Sequence, residues 1–129
     1  MQDEPKPSEI LAAVAQFLRA EVAPTCEARI AFQARVAAGA LDLARRQIEL
    51  APAGEAAERE NLAALLGVEG ALEELNAELA RRIASGAADL STPGLAEHLW
   101  ATTLAKLAVD QPSYSGYRAA LAEHAVKEA

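Results

Sequence analysis

The residues of this chain best placed to do chemistry together lie near its C-terminal end, in the stretch KLAVDQPSY from Lys106 to Tyr114. Asp110 follows Lys106 by four residues, so an ammonium and a carboxylate meet on one face of a helix, with the Tyr114 phenol just beyond. Such a group suits a site facing a ligand or a partner protein, or an enzyme that uses all three side chains. The structural alternative is simpler. An aspartate at a helix C-terminus opposes the macrodipole at a cost of about 0.3–1 kcal/mol; Lys106 would offset that cost, or Asp110 would cap the turn begun by Gln111 and Pro112.

A second polar grouping runs along the stretch Glu27–Leu50. Arg29, Gln33 and Gln47 share one angular strip with Ala40, between two apolar rows. Gln33 falls well inside the apolar arc, where a buried amide needs hydrogen-bond partners. It reads either as a polar contact fixing which helix packs where, or as one wall of a ligand pocket. The candidate ligand- or partner-binding residues are therefore Arg29, Gln33, Lys106, Asp110 and Tyr114; no catalytic residue and no metal ligand is assigned. Arg35, Asp42, Arg46 and Glu49 fall on the opposite face and read as a solvated ladder, each pair contributing about 0.2–0.5 kcal/mol.

Other chemistries lack their motifs. The chain has no HExxH and no Glu-x-x-His pair, so zinc-peptidase and di-iron bundle readings fall away. His98 and His124 each follow a glutamate directly, Glu97 and Glu123, and adjacent helical residues point ~100° apart, which makes neither pair a metal site. There is no phosphate-binding glycine loop, no dinucleotide fingerprint and no nucleophile elbow. No cofactor is implied, and the preferred reading is non-catalytic.

The elements that must hold these residues are helices. Of 129 residues, 33 are alanine and 17 leucine, against ten isoleucines and valines together. That balance favours helix and disfavours strand, and so much alanine implies closely packed axes. The expectation is an all-α chain: one domain over residues 1–129, a helical bundle of five main helices with a long central second helix and a weak sixth at the C-terminus.

Taken in order, Ser8 and Glu9 start a first helix bearing Ile10, Leu11, Val14, Phe17, Leu18 and Val22, which stops before Pro24. Glu21 on its face either reaches water or pairs with Arg29 across the turn. The second helix, Glu27 to Leu50, carries a heptad-like seam of Ile30, Ala34, Ala37, Leu41, Ala44 and Ile48. Its other apolar row is Phe32, Val36, Leu43 and Leu50. Together they cover an arc of roughly 200°, the mark of a helix with partners on two sides. Pro52 and Gly54 are expected to break it before a short third helix ending at Gly67. A fourth helix carries Val68, Leu72, Leu75, Leu79 and Ile83, with Gly86 as a left-handed cap. Thr92–Pro93 is an N-cap and first-turn signal for a fifth, running to Val109 with an apolar arc of Leu95, Leu99, Trp100, Leu104 and Leu107. The sixth would span Tyr117 to Val126.

The net charge of −7 argues against nucleic acid, whose phosphates demand a basic surface. Residues 51–90 hold eight acids against three arginines, so most of the acidity is central. Cys26 is the only cysteine, which excludes an internal disulfide. No apolar run approaches the ~20 residues of a membrane span, and the N-terminus is unlike a leader peptide. Cytoplasmic placement, with no membrane partner, is the expectation.

Three pieces of sequence are familiar together: the N-terminal EILAAV…FL…EV, the second-helix pattern F-x-A-R-V-A-x-x-A-L, and KLAVDQPSYSGY. They resemble a family of small bacterial proteins known as a domain of unknown function, and the likeness spans nearly the whole chain. Members of that family more often carry His at the position of Gln33 and Asn at that of Gly39, so this chain departs from the pattern there. Members are often encoded beside aminoglycoside-phosphotransferase-like proteins and acyl-CoA dehydrogenases. The resemblance implies a setting in acyl-CoA metabolism and a phosphotransferase-like partner enzyme; it implies no chemistry. Two further readings stand beside it: self-association into a homo-oligomer, and a bundle that holds an acyl-CoA-like anion between the second and fifth helices with Arg29 and Lys106 as its positive groups.

Overall fold

The computed structural model describes residues 3–128 of the chain, with side chains to residue 126. The chain is all-α. Five α-helices, α1 (Pro7–Phe17), α2 (Ala28–Leu66), α3 (Leu72–Ser85), α4 (Leu95–Asp110) and α5 (Ser115–Glu128), make up the fold, and there is no strand among the described residues. Packing gathers in two compact parts, one up to Leu50 and one from Ala51 onward.

In the first part, α1 starts two residues earlier than Ser8 as its N-cap would place it. Pro7 takes the first helical position, where its missing N–H costs nothing. The Lys6 N–H donates to the Glu9 carboxylate at 2.7 Å, so Glu9 closes the end of the helix. The approach to Pro24 is wound differently from an α-helix: Leu18–Val22 forms a π-turn and Ala23–Thr25 a short 3-10 turn. Thr25 donates its hydroxyl to the carbonyls of Val22 and Glu21, at 3.0 and 3.1 Å. It thereby satisfies acceptors that this irregular end would leave open. Glu27 then caps α2 from its side chain, accepting from the Arg29 and Ile30 N–H groups at 3.1 Å each.

The core of this part is built from small side chains. Ala23, Ala31 and Ala34 pack together with Val22 and Cys26 against them, and Ala15 and Ala38 are also buried. The inward face of α2 is thus alanine-led, as the composition predicts. The charged face differs from the expected ladder. Arg45 takes a place in it that the sequence reading did not give it, bonding Glu49 at 2.8 Å and lying 3.8 Å from Asp42. Asp42 also pairs with Arg19, which ties α2 to the turn after α1.

Helix α2 runs unbroken through Pro52 and Gly54, so the second and third helices of the sequence reading are one. Proline already has the helical φ; what it loses is one N–H bond to the Ile48 carbonyl, and its ring presses on that group. Pro52 is exposed, so water can serve the carbonyl that the ring displaces.

The second part holds the larger core: Leu62, Leu66, Leu75, Leu79, Ala88 and Leu95, with Ala63, Leu65 and Leu72 packed against it. Leucine from α2, α3 and α4 meets here, so the leucine-rich interior belongs to this part and not to the stretch 27–50. Helix α3 ends where Gly86 adopts a left-handed φ of 77° and donates its N–H to Ile83, as its glycine predicts. Helix α4 begins at Leu95 and not at Pro93. The Thr92 hydroxyl is engaged elsewhere, accepting the Asp89 N–H at 3.0 Å, while the Asp89 carboxylate accepts both the N–H and the hydroxyl of Ser91. The chain therefore turns once more, through Gly94 at φ 84°, before the helix starts.

Candidate functional site

The five residues singled out from the sequence all lie at the surface. Arg29 and Gln33 are exposed on α2 in the first part; the amide of Gln33 meets solvent and needs no buried partner. Arg29 sits with its Nε 3.7 Å from a Glu27 oxygen, so its near neighbour is the capping carboxylate and not Glu21. Lys106, Asp110 and Tyr114 belong to the second part and are exposed as well. No ion pair joins Lys106 to Asp110 among the described residues. Asp110 closes α4, whose end is satisfied by the backbone: Gln111 N–H donates to Leu107, and Tyr114 N–H donates to Gln111. The Tyr114 ring lies over Gly116, so close that a Cβ built on Gly116 would fall 2.8 Å from it.

Two features of the structure concern function more directly. The first is the second apolar row of α2. Phe32, Val36, Leu43 and Leu50 fall within about 40° of arc on a helix of ~100° per residue. All four are exposed, from 40% for Leu43 to 62% for Phe32. The opposite face, Ala31, Ala34 and Ala38, is the one buried. Gly39 lies on the outer row between Val36 and Leu43, with nothing within 4 Å of the position its Cβ would take, so the row carries an open notch. Arg29, Arg35 and Arg46 flank the row within about 60°, and no acid does. An apolar stripe edged by arginines therefore lies on a chain whose net charge is −7.

The second feature is a cavity of about 460 Å³ in the second part, between the C-terminal half of α2 and the start of α4. Asn61, Ala64 and Leu65 line it from α2, and Pro93, Gly94, Glu97, His98 and Ala101 from the loop and α4. His98 is 5% exposed, and its Nδ1 is enclosed with no hydrogen-bond partner among the described residues. Helix α4 is rotated relative to its hydropathy. Leu95, His98 and Val109 share about 60° of arc and are buried, with Thr102 half-buried among them; of the apolar arc read from the sequence Leu104 and Leu107 are half-buried, while Leu99 and Trp100 are exposed. The three-, four- and seven-residue steps of that face were readable.

Elsewhere the ionisable groups serve structure. The Glu78 carboxyl is held below its ordinary value by hydrogen bonds from Arg82 and Arg81. The Asp89 carboxyl is held down by its bonds from the Ser91 hydroxyl and backbone. Among the described residues there is no group of three or more His, Cys, Asp or Glu that could hold a metal ion, and no helix long and apolar enough to cross a membrane.

Comparison with protein families matches residues 24–114 to the family described as Domain of unknown function (DUF6285). The matched residues take in the F-x-A-R-V pattern of α2 and KLAVDQPSY, and leave out α1 with its EILAAV and all of α5. No curated protein and no solved structure matches the chain.

Proposed function

The chain belongs to the DUF6285 family, and we propose that it is a non-catalytic accessory protein that works by docking to another protein. The observation that supports this reading is the outer row of α2. Four large apolar side chains at helical spacing are left in water, and contiguous exposed apolar surface of that kind marks interaction sites. The row spans eighteen residue steps, about 27 Å of helix. It suits a partner helix laid along it, with a bulky side chain entering the notch at Gly39. Arg35 at its edge favours a partner that sets an acidic residue opposite it.

The partner proposed on the resemblance is a phosphotransferase-like enzyme of acyl-CoA metabolism, in the cytoplasm of a bacterium. Co-expression and co-purification of the two proteins tests this. A complex that survives gel filtration at micromolar concentration, and that Phe32→Glu disrupts, supports the reading; clean separation of the wild-type proteins overturns it. Self-association is the other outcome, read from the mass of the isolated protein by light scattering.

The alternative, a bundle holding an acyl-CoA-like anion, rests on Arg29 and Lys106. A thermal shift with acyl-CoA that Lys106→Ala weakens would favour it, and no shift at saturating ligand would remove it.

A further inference from the structure

We propose that the cavity between α2 and the start of α4 is a binding site for a small organic amine with an apolar body, held by Glu97 and His98. Its size falls in the range of small-molecule sites, about 300–1,000 Å³. Its composition is also that of such sites: Ala64, Leu65, Pro93 and Ala101 supply apolar walls, and Asn61, Glu97 and His98 supply the few polar groups that orient a ligand.

His98 is the reason to treat this space as a site. The ring is buried, and none of its hydrogen-bonding capacity is used by the fold. His98 lines the cavity, and only its Nδ1 is enclosed without a partner, which leaves Nε2 as the ring nitrogen open to a ligand. Placing the proton on Nε2 leaves Nδ1 a bare acceptor and turns Nε2–H toward the cavity as a donor for a hydroxyl or ether oxygen.

Charge selects the ligand class. Glu97 is the one charged residue lining the cavity, and neither lysine nor arginine lines it. The second part, from Ala51 onward, carries twelve acids against six bases, so its field attracts cations. The positive end of α4 faces the same space, and Glu97 in its first turn offsets it. An ammonium group against Glu97 and an oxygen against His98, joined by an apolar body, uses every polar feature of the lining on α4.

Tyramine is a suitable probe, because it carries an ammonium, a ring and a hydroxyl. The matched set is 4-ethylphenol, which lacks the ammonium, 2-phenylethylamine, which lacks the hydroxyl, and 4-hydroxyphenylacetate, which reverses the charge. Each is titrated into the labelled full chain and followed by amide and imidazole nitrogen spectra. The expected result is that tyramine moves the amides of Ala64, Leu65, Gly94 and Ala101 together with the His98 ring nitrogens. The carboxylate analogue moves none of them. Glu97→Gln weakens tyramine about tenfold, as loss of a charge-assisted hydrogen bond should. Ala101→Trp, which places an indole in the cavity from an exposed position, abolishes the shifts while helical circular dichroism is kept. The proposal is overturned if tyramine moves none of these resonances up to its solubility limit, if 4-ethylphenol or 4-hydroxyphenylacetate binds as tightly as tyramine, or if Glu97→Gln leaves its affinity unchanged.

Discussion

Gly54 of α2 faces Ala105 of α4 across a gap that one methyl group would fill: a Cβ built on Gly54 lies 3.8 Å from the Cβ of Ala105, an ordinary van der Waals separation. A glycine in a helix interior costs about 0.5–1 kcal/mol relative to alanine, because the unfolded chain has more freedom to lose. Gly54→Ala removes that cost and adds a contact without displacing anything. Urea unfolding should show a gain of about 0.5–1 kcal/mol at unchanged slope. A loss of stability would mean that the two helices approach more closely than this geometry gives.

Pro52 offers a second gain two residues away. Alanine there restores an N–H donor to the Ile48 carbonyl and removes the ring that presses on it. The difference in helix propensity sets a ceiling of about 3 kcal/mol. Pro52→Ala should therefore stabilise by more than Gly54→Ala, measured in the same unfolding experiment. Equal or lower stability would show that the proline ring makes contacts that offset its lost hydrogen bond.

What these two residues teach about legibility is specific. Pro52 and Gly54 are the usual punctuation of a helix, yet α2 passes through both, because seven residues on either side keep helical pattern and proline's φ fits. Thr92–Pro93 points to a start for α4 that the structure does not use, for a different reason: the threonine hydroxyl reaches back three residues to accept the Asp89 N–H, a local turn that competes with the forward N-cap. Gly86 was legible because a left-handed cap is a local requirement. The all-α class followed from alanine and leucine alone. The outer row of α2 was visible as a row, while its being left in water was not, since spacing shows which residues share a face and not what covers it. His98 was legible only as a poor metal ligand; its burial depends on which face of α4 turns inward, and the hydropathy of Leu99 and Trp100 does not show that.

The same contrast between faces gives a stability prediction. Leu62 is fully buried in the leucine core, and Leu43 is exposed on the outer row of α2. Truncating a buried leucine costs about 2–5 kcal/mol through lost transfer energy and the cavity left behind. Leu62→Ala should fall in that range, whereas Leu43→Ala should change the free chain by less than about 0.5 kcal/mol. Thermal or urea unfolding of both variants checks the pair. A large loss at Leu43 would mean that its face is covered within the molecule, and the docking surface would have to be sought elsewhere.

Acid should act on α3 and the loop that follows it. Glu78 is held below its ordinary 4.5, first by the hydrogen bond from Arg82 and then by that from Arg81. Asp89 is held below 3.8, first by the Ser91 hydroxyl. For a carboxyl whose pKa is lower in the folded than in the unfolded chain, the added stability is fully present above the unfolded value and fades as pH falls through the folded one. Both groups therefore predict a loss of stability on acidification from about pH 5 downward and none above it. Glu78→Gln keeps the side-chain shape and cannot titrate. Its unfolding free energy should lie below wild type near neutrality, and the two should converge as pH falls from about 5 through the folded-state value. Parallel curves for the two proteins across that range would show that the Glu78 bonds do not contribute to folding.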